Sequence, residues 1–120
     1  MKPRFARAAF GSILVDERPC DHDVYVRLNG KVKKRRKRLS RRVFGGSHVV
    51  SIEEARHVYQ RGAKRLIVGA GYDGVLTLSP EASAYLKKHG CRVDMRSTPD
   101  AADLWNEARG PVIGLFHVTC

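Results

Sequence analysis

Three side chains could together carry nucleophilic chemistry. His117 and Cys120 are three residues apart, and His48 follows a glycine pair in a predicted loop. A thiol beside an imidazole can act as a nucleophile with its base. Residues three apart on one strand point to opposite faces, however, so we expect His117 and Cys120 to be separated. The sequence therefore predicts no catalytic residues, and these three are the candidates if any catalysis occurs.

Three glycines spell the G-x-G-x-x-G pattern of dinucleotide-binding proteins at Gly69, Gly71 and Gly74. The pattern binds a pyrophosphate only where its glycines open a helix. Here Gly74 runs into β-prone residues 75–78, and helix-starting residues first appear at Ser79. We therefore predict a tight loop between two strands and no cofactor, although backbone N–H groups in such a loop can face a small anion.

A possible pocket would combine this loop with residues from other predicted loops and helix starts. The hydroxyl of Thr98 precedes Pro99 and is expected to cap a helix. Asn106 lies inside that helix, where asparagine is a poor helix former, so it either bonds to a neighbouring loop or lines the pocket. The predicted lining is His48, Gly71, Tyr72, Asp73, Gly74, Thr98 and Asn106.

Metal ligands are too irregularly spaced to predict a metal site. The cysteines Cys20, Cys91 and Cys120 form no C-x-x-C pair, and such a set favours free thiols in a reducing compartment. Together with His117, Cys91 and Cys120 would supply only three ligands. We therefore predict no metal and a cytoplasmic protein.

A basic run is the strongest signal in the chain, because nine of the twelve residues from Lys31 to Arg42 are cations. Residues 1–44 carry 14 Lys/Arg and 4 Asp/Glu, a net charge of +10, whereas residues 45–120 carry 9 and 8, a net charge of +1. Such a field attracts polyanions: RNA or DNA first, then anionic lipid, then an acidic protein surface. Few aromatic residues lie nearby for base stacking, which argues against sequence-specific single-strand recognition. The predicted anion-binding residues are Lys31, Lys33, Lys34, Arg35, Arg36, Lys37, Arg38, Arg41 and Arg42.

Two kinds of segment must position these residues. The first 38 residues are typical of β structure, since Asp23–Leu28 alternates polar and apolar residues. Asn29-Gly30 then predicts a hairpin whose returning strand would carry the cations along one ribbon. Arg42–His48 is expected to be a loop.

Residues 45–120 alternate predicted helices and strands. Ser51 and Glu54 form a capping box, in which each side chain would bind the other residue's backbone N–H. Ser79-Pro80 opens a second helix, and the apolar residues 112–118 form a final strand. The predicted fold is a single compact three-layer α/β domain over residues 1–120, with a mixed, mainly parallel sheet flanked by helices and an N-terminal β-hairpin region.

Several short motifs recur together in a known family. They are Gly69–Gly74, Leu86–Gly90, Thr98–Ala101, Asn106 and His117–Cys120, with Gly11, Asp16, Asp23 and His48 upstream. Through them the chain resembles the family called domain of unknown function 498, which is similar to the adipogenesis-associated domain protein and to a mitochondrial assembly factor for respiratory complex I. The resemblance implies a three-layer α/β fold, no agreed enzymatic activity and a protein-binding role. Relatives often carry tryptophan at the hairpin, where Lys34–Arg38 are all cations here.

Three functions are left open by the sequence. The first is a non-catalytic binding or assembly module with an unidentified protein partner. The alternatives are a nucleic-acid-binding protein that uses Lys31–Arg42, and an enzyme of unknown reaction with a pocket near the glycine loop and the C-terminus. An exposed edge strand could also pair two copies into a homo-oligomer. No apolar stretch approaches the roughly 20 residues that a membrane span needs.

Overall fold

A five-stranded mixed sheet forms the centre of the computed structural model, which describes residues 2–120. The strands are β1 (Phe5–Arg7), β2 (Ile13–Val15), β3 (Arg18–Cys20), β4 (Val24–Val26), β5 (Val32–Lys34), β6 (Val49–Val50), β7 (Arg65–Ala70), β8 (Thr77–Leu78), β9 (Arg92–Arg96) and β10 (Val112–His117). The helices are α1 (Arg38–Phe44), α2 (Ile52–Val58), α3 (Pro80–Lys88) and α4 (Thr98–Glu107).

The central sheet has the order β5-β4-β10-β7-β9. Strand β10 pairs in parallel with β7, and β7 in parallel with β9. The hairpin β4–β5 joins the other edge of β10 in antiparallel fashion. Two short sheets, β1-β2-β3 and β6-β8, complete the strand pairing. The predicted α/β domain with a mixed sheet flanked by helices is therefore confirmed.

The sheet is covered on both faces by apolar layers. One layer joins the sheet to α2 and α3 and includes Val58, Leu86 and Ile113. The other joins it to α4 and β1, where Phe5 stacks on Phe116. The indole N–H of the fully buried Trp105 in α4 donates to the Pro3 carbonyl at 2.8 Å.

The helix N-caps predicted at Ser51 and Ser79 and the predicted hairpin turn are confirmed. The Ser51 hydroxyl accepts the Glu54 N–H at 3.2 Å, and the Ser79 hydroxyl accepts the Ala82 N–H at 3.1 Å. In the β4–β5 turn, Gly30 has a φ of +85°, a conformation that glycine adopts without strain. Among residues 2–120, no helix has both the length and the hydropathy to cross a bilayer.

The prediction that one strand carries all the cations is wrong beyond Lys34, where β5 ends. Residues 38–44, expected partly as strand and partly as loop, form α1 and end at Gly45 in the left-handed conformation. The cause is tertiary: Ser40 of this helix is fully buried and bonds to Ser51 and Glu54. The cations therefore divide between the hairpin, a short connection and a helix.

Candidate functional site

A buried ion cluster lies under the basic surface, with Arg35 at its centre. Arg35 follows β5, and its side chain is 1% exposed. Its Nε and Nη2 donate to the two carboxylate oxygens of Glu54 at 2.6 and 3.0 Å, and its Nη1 donates to Asp23 Oδ2 at 2.9 Å. Burial opposes the charge, but the carboxylates of Glu54 and Asp23 raise the pKa of Arg35. Its expected role in binding an external anion is contradicted by this burial.

Asp23 connects this cluster to the end of the central strand. Its carboxylate accepts three hydrogen bonds. The donors are the Arg35 guanidinium, the His117 Nδ1–H at 2.7 Å and the Val118 backbone N–H at 2.8 Å. Burial alone would raise the pKa of Asp23, but these hydrogen bonds hold it well below its ordinary value. Asp23 therefore stays ionised, and His117 must be the donor in their bond because a carboxylate only accepts.

The capping box predicted at α2 is only half formed. Glu54 does not return to the Ser51 N–H; that N–H donates to the Ser40 hydroxyl at 2.9 Å, and the Ser40 hydroxyl donates to Glu54. Glu54 is fully buried and neutralises Arg35. Its role is to hold the connection before α1 against α2.

Around this cluster five of the other predicted cations border an open cavity of about 580 Å³. Four exposed cations line it and have no ion pair among residues 2–120, namely Lys34, Arg36, Arg38 and Arg41. The lining also includes Lys37, 3.7 Å from Asp23, together with His22, the exposed Asp21 and the backbone near Thr119.

The other predicted cations lie outside this lining. Lys31 and Lys33 are exposed on the hairpin, and Arg42 pairs with Glu53. Lys33 instead faces a second cavity of about 430 Å³, which Lys34 shares. The folded chain therefore concentrates positive charge around two neighbouring depressions rather than along a strand.

His48, His117 and Cys120 form a second group, which strand geometry had predicted to be separated. His117 is the last residue of β10, so the residues after it lie outside the strand. Their side chains need not alternate between the two faces of the sheet. One ligand atom from each of the three side chains lies within 4.8 Å of the others. The Cys120 Sγ is 3.3 Å from His48 Nε2, and the imidazole rings of His48 and His117 meet edge to face with centroids 5.3 Å apart. The expected separation is wrong.

The glycine loop binds the end of the described chain. Tyr72 N–H donates to the Thr119 carbonyl at 2.7 Å, and the N–H groups of Asp73 and Val75 donate to the Cys120 carbonyl at 3.2 and 3.0 Å. At Gly71, with a φ of +99°, a Cβ would lie 2.3 Å from the Cys120 carbonyl carbon. The N–H groups expected to face a small anion are thus occupied by this chain's own carbonyls. As predicted, the loop leads to a strand, β8, and α3 begins only at Pro80.

Thr98 and Asn106 hold chain segments together. The Thr98 hydroxyl donates to the His117 carbonyl and accepts the Gly71 N–H at 2.9 Å, so its predicted capping role is wrong. The Asn106 side chain binds both the N–H and the carbonyl of Phe5, at 2.9 and 2.7 Å. Of the two possibilities for Asn106, the bond to a neighbouring segment is the one observed.

Sequence reasoning missed Asp23 as the residue that connects both groups. The available signal was a carboxylate directly before the buried strand β4, a position where a charge needs a partner. The partners are 12 and 94 residues away in sequence, so nothing local identifies them.

Comparison with solved structures gives full-length matches. Conserved hypothetical protein PH1505 from Pyrococcus horikoshii OT3 superposes with a TM-score of 0.88 at 30% identity, covering 100% of both chains. MT938 superposes with a TM-score of 0.83 at 30% identity, covering 99% of this chain and 100% of its own. A Mth938-like domain protein of Bordetella pertussis shares the fold with a TM-score of 0.62 at 18% identity, over 97% of this chain and 85% of its own. No protein-family model matches the chain.

Proposed function

The chain belongs to the family that includes PH1505 and MT938, and from this premise we propose that it is a non-catalytic binding module whose basic cavity receives nucleic-acid phosphates. The observation that carries the proposal is the lining of the 580 Å³ cavity by four exposed cations without ion pairs among residues 2–120. These are Lys34, Arg36, Arg38 and Arg41. We call them the cavity cations.

The buried cluster beneath the cavity supports this role. Asp23 and Glu54 could attract the surface cations inward, but Arg35 and His117 already bind these carboxylates. The cavity cations therefore remain available to an external anion. The exposed carboxylate of Asp21 on the rim opposes anion binding and limits the affinity for isolated small anions.

Such a surface contacts phosphates rather than base edges. Guanidinium groups bind phosphate oxygens in bidentate geometry, and each phosphate contact releases a counterion from the nucleic acid. Tyr25, which borders the neighbouring cavity, is buried and unsuited to base stacking. Binding without sequence preference and with strong salt dependence is the expected outcome.

The test is fluorescence anisotropy with labelled duplex DNA and RNA from about 50 to 200 mM salt, with heparin as a competitor. Four phosphate contacts predict that affinity falls by about 100-fold over this range. Replacing the four cavity cations by Gln should reduce the slope of log K against log salt by about 3 to 4. Arg35 stays unchanged in this variant because its replacement would damage the fold.

The control removes the same charge elsewhere. Arg61, Lys64, Lys87 and Lys88 are exposed cations away from the cavity, and their replacement by Gln leaves the net charge equal to that of the cavity variant. If nucleic-acid binding weakens equally in both variants, or if heparin and nucleic acid bind with equal affinity, then binding depends only on the overall charge of the protein. Either result would contradict a specific role for the cavity. Binding that is absent near physiological salt would refute the proposal.

An assembly or accessory role with a protein partner is the second candidate, as the resemblance to domain of unknown function 498 implies. It is favoured by two apolar side chains on α1, the helix that carries Arg38 and Arg41: Val43 and Phe44 are 51% and 46% exposed. A partner retained by the cavity variant but lost from a Val43→Ser, Phe44→Ser variant in a pull-down at moderate salt would favour this role. Loss from the cavity variant alone would favour the first.

A further inference from the structure

The cluster of His48, His117 and Cys120 has the composition and the spacing of a metal centre. We infer that these three side chains bind one zinc-like divalent cation. Zn–N bonds of about 2.0–2.1 Å and a Zn–S bond of about 2.3 Å, in a tetrahedron, place nitrogen and sulfur about 3.5 Å apart. The Sγ of Cys120 and Nε2 of His48 are 3.3 Å apart, so this pair already has the required spacing. The most distant ligand atoms, at up to 4.8 Å, must approach by about 1 Å.

The carboxylate of Asp23 orients His117 as a ligand. It accepts the Nδ1–H of His117 at 2.7 Å, which places the proton on Nδ1 and leaves a lone pair on Nε2. Metal-bound histidines in proteins usually donate their second N–H to a carboxylate or a carbonyl in this way. Asp23 is itself fixed by Arg35 and the Val118 N–H, so the imidazole cannot rotate freely.

In the metal-free chain the lone pair of His117 Nε2 is 3.0 Å from the Thr119 hydroxyl, which can donate to it. A bound cation replaces this hydrogen bond. Its net contribution is about 1 kcal/mol, and the half-exposed hydroxyl can turn to water. The exchange is therefore a small obstacle to metal binding.

The other two ligands are held by backbone hydrogen bonds close to their side chains. The carbonyl of His48 accepts the Thr77 N–H at 2.9 Å, and the carbonyl of Cys120 accepts the Val75 N–H at 3.0 Å. Both side chains nevertheless reach solvent, since His48 is exposed and Cys120 half-buried. The cation can thus enter from outside, and water can fill the fourth position.

The ligand chemistry selects the class of metal. Two imidazoles and one thiolate suit Zn²⁺ and Co²⁺, whereas Mg²⁺ and Ca²⁺ require oxygen ligands. Cysteine must lose its proton on binding, so the affinity rises with pH. This site extends beyond the proposed phosphate binding, because it uses none of the cavity cations.

The test is a Co²⁺ titration of the reduced, metal-free protein, with any purification tag at the N-terminus. We expect one equivalent to produce a thiolate-to-cobalt charge-transfer band and the strong visible bands of tetrahedral Co²⁺. Added Zn²⁺ should remove both. Cys120→Ser should abolish the charge-transfer band, and His48→Gln should weaken binding by at least about 10-fold. Neither variant disturbs a buried residue.

The control is Cys20→Ser, because Cys20 lies 3.6 Å from the His22 Nε2 and is a competing thiol–imidazole pair. This variant should bind Co²⁺ as the wild type does. A second readout is thermal stability, which Zn²⁺ should raise in the wild type and in Cys20→Ser but not in Cys120→Ser. The inference is overturned if no charge-transfer band forms, if the band survives in Cys120→Ser, or if it disappears in Cys20→Ser.

Discussion

Replacing Arg35 by methionine removes the buried cation that Asp23 and Glu54 share. The substitution keeps much of the side-chain length but deletes the three hydrogen bonds to the carboxylates, of 2.6, 2.9 and 3.0 Å. It also deletes the bond from Nη2 to the Ser47 carbonyl at 2.9 Å. At about 1.5 kcal/mol each, the loss of the three carboxylate bonds amounts to roughly 4–5 kcal/mol, which agrees with the roughly 3–5 kcal/mol cost of breaking a buried ion pair. A domain of this size is stable by about 5–15 kcal/mol, so the variant should retain little stability.

The assay is urea-induced unfolding of the reduced protein, followed by the fluorescence of Trp105. This residue is the single tryptophan and is fully buried, so its emission reports global unfolding. Arg36→Met is the matched control, since Arg36 is exposed and has no ion pair among residues 2–120. It should change stability by no more than about 0.5 kcal/mol.

The pH dependence gives the prediction a second readout. In the wild type the pKa of Asp23 is lowered, so its contribution is present above the ordinary carboxyl pKa and is lost as pH falls toward the folded value. In Arg35→Met, the buried carboxylates lose the guanidinium that neutralised them, so protonation relieves the buried negative charge that the substitution leaves. The difference in unfolding free energy should therefore shrink between about pH 7 and about pH 4. A deficit within about 1 kcal/mol of the Arg36→Met control, or one that stays constant with pH, would refute the reasoning.

Three further outcomes follow from particular contacts. Gly71→Ala combines a φ of +99° with a clash against the terminal carbonyl, so it should lower stability by more than about 2 kcal/mol, whereas Gly46→Ala meets open space and should be nearly neutral in the same urea assay. Asn106→Ala leaves a backbone N–H and carbonyl of the first strand unpaired and should cost about 1–3 kcal/mol; amide hydrogen exchange should show the loss first in that strand. Burial raises the pKa of Cys91 to about 11, so its thiol should resist alkylation near neutral pH in the folded protein and react only after denaturation, as mass spectrometry would show. Rapid native-state labelling there would contradict its burial.

Local signals in the sequence predicted much of the fold. The caps at Ser51 and Ser79 depend on contacts within three residues, and the Asn29-Gly30 turn depends on φ preferences alone. The apolar β10 is long enough to identify a buried strand. Each of these rules is satisfied by neighbours in sequence, which is why each succeeded.

The buried ion cluster and the His48, His117 and Cys120 cluster depend on contacts between residues distant in sequence. The sequence was therefore insufficient to predict either cluster. Arg35 looks like any other cation in the basic run, and only the folded chain places it between Asp23 and Glu54. The grouping of His117 with Cys120 arises because the chain leaves β10 directly after His117, where the period of two no longer applies. Rules based on sequence periodicity carry no information about the burial of Arg35 or about the grouping of His117 with Cys120.

The position of β10 in the sheet constrains how the protein forms during synthesis. This strand is the last in the described chain, yet it lies between β4 and β7 and pairs with both. Until residues 112–117 leave the ribosome, the nascent hairpin and the β7–β9 pair each present an open edge that other chains can bind. A nascent chain therefore depends on residues 112–117 to join both halves of its sheet, and a stall before Val112 would leave two exposed strand edges for chaperones to shield.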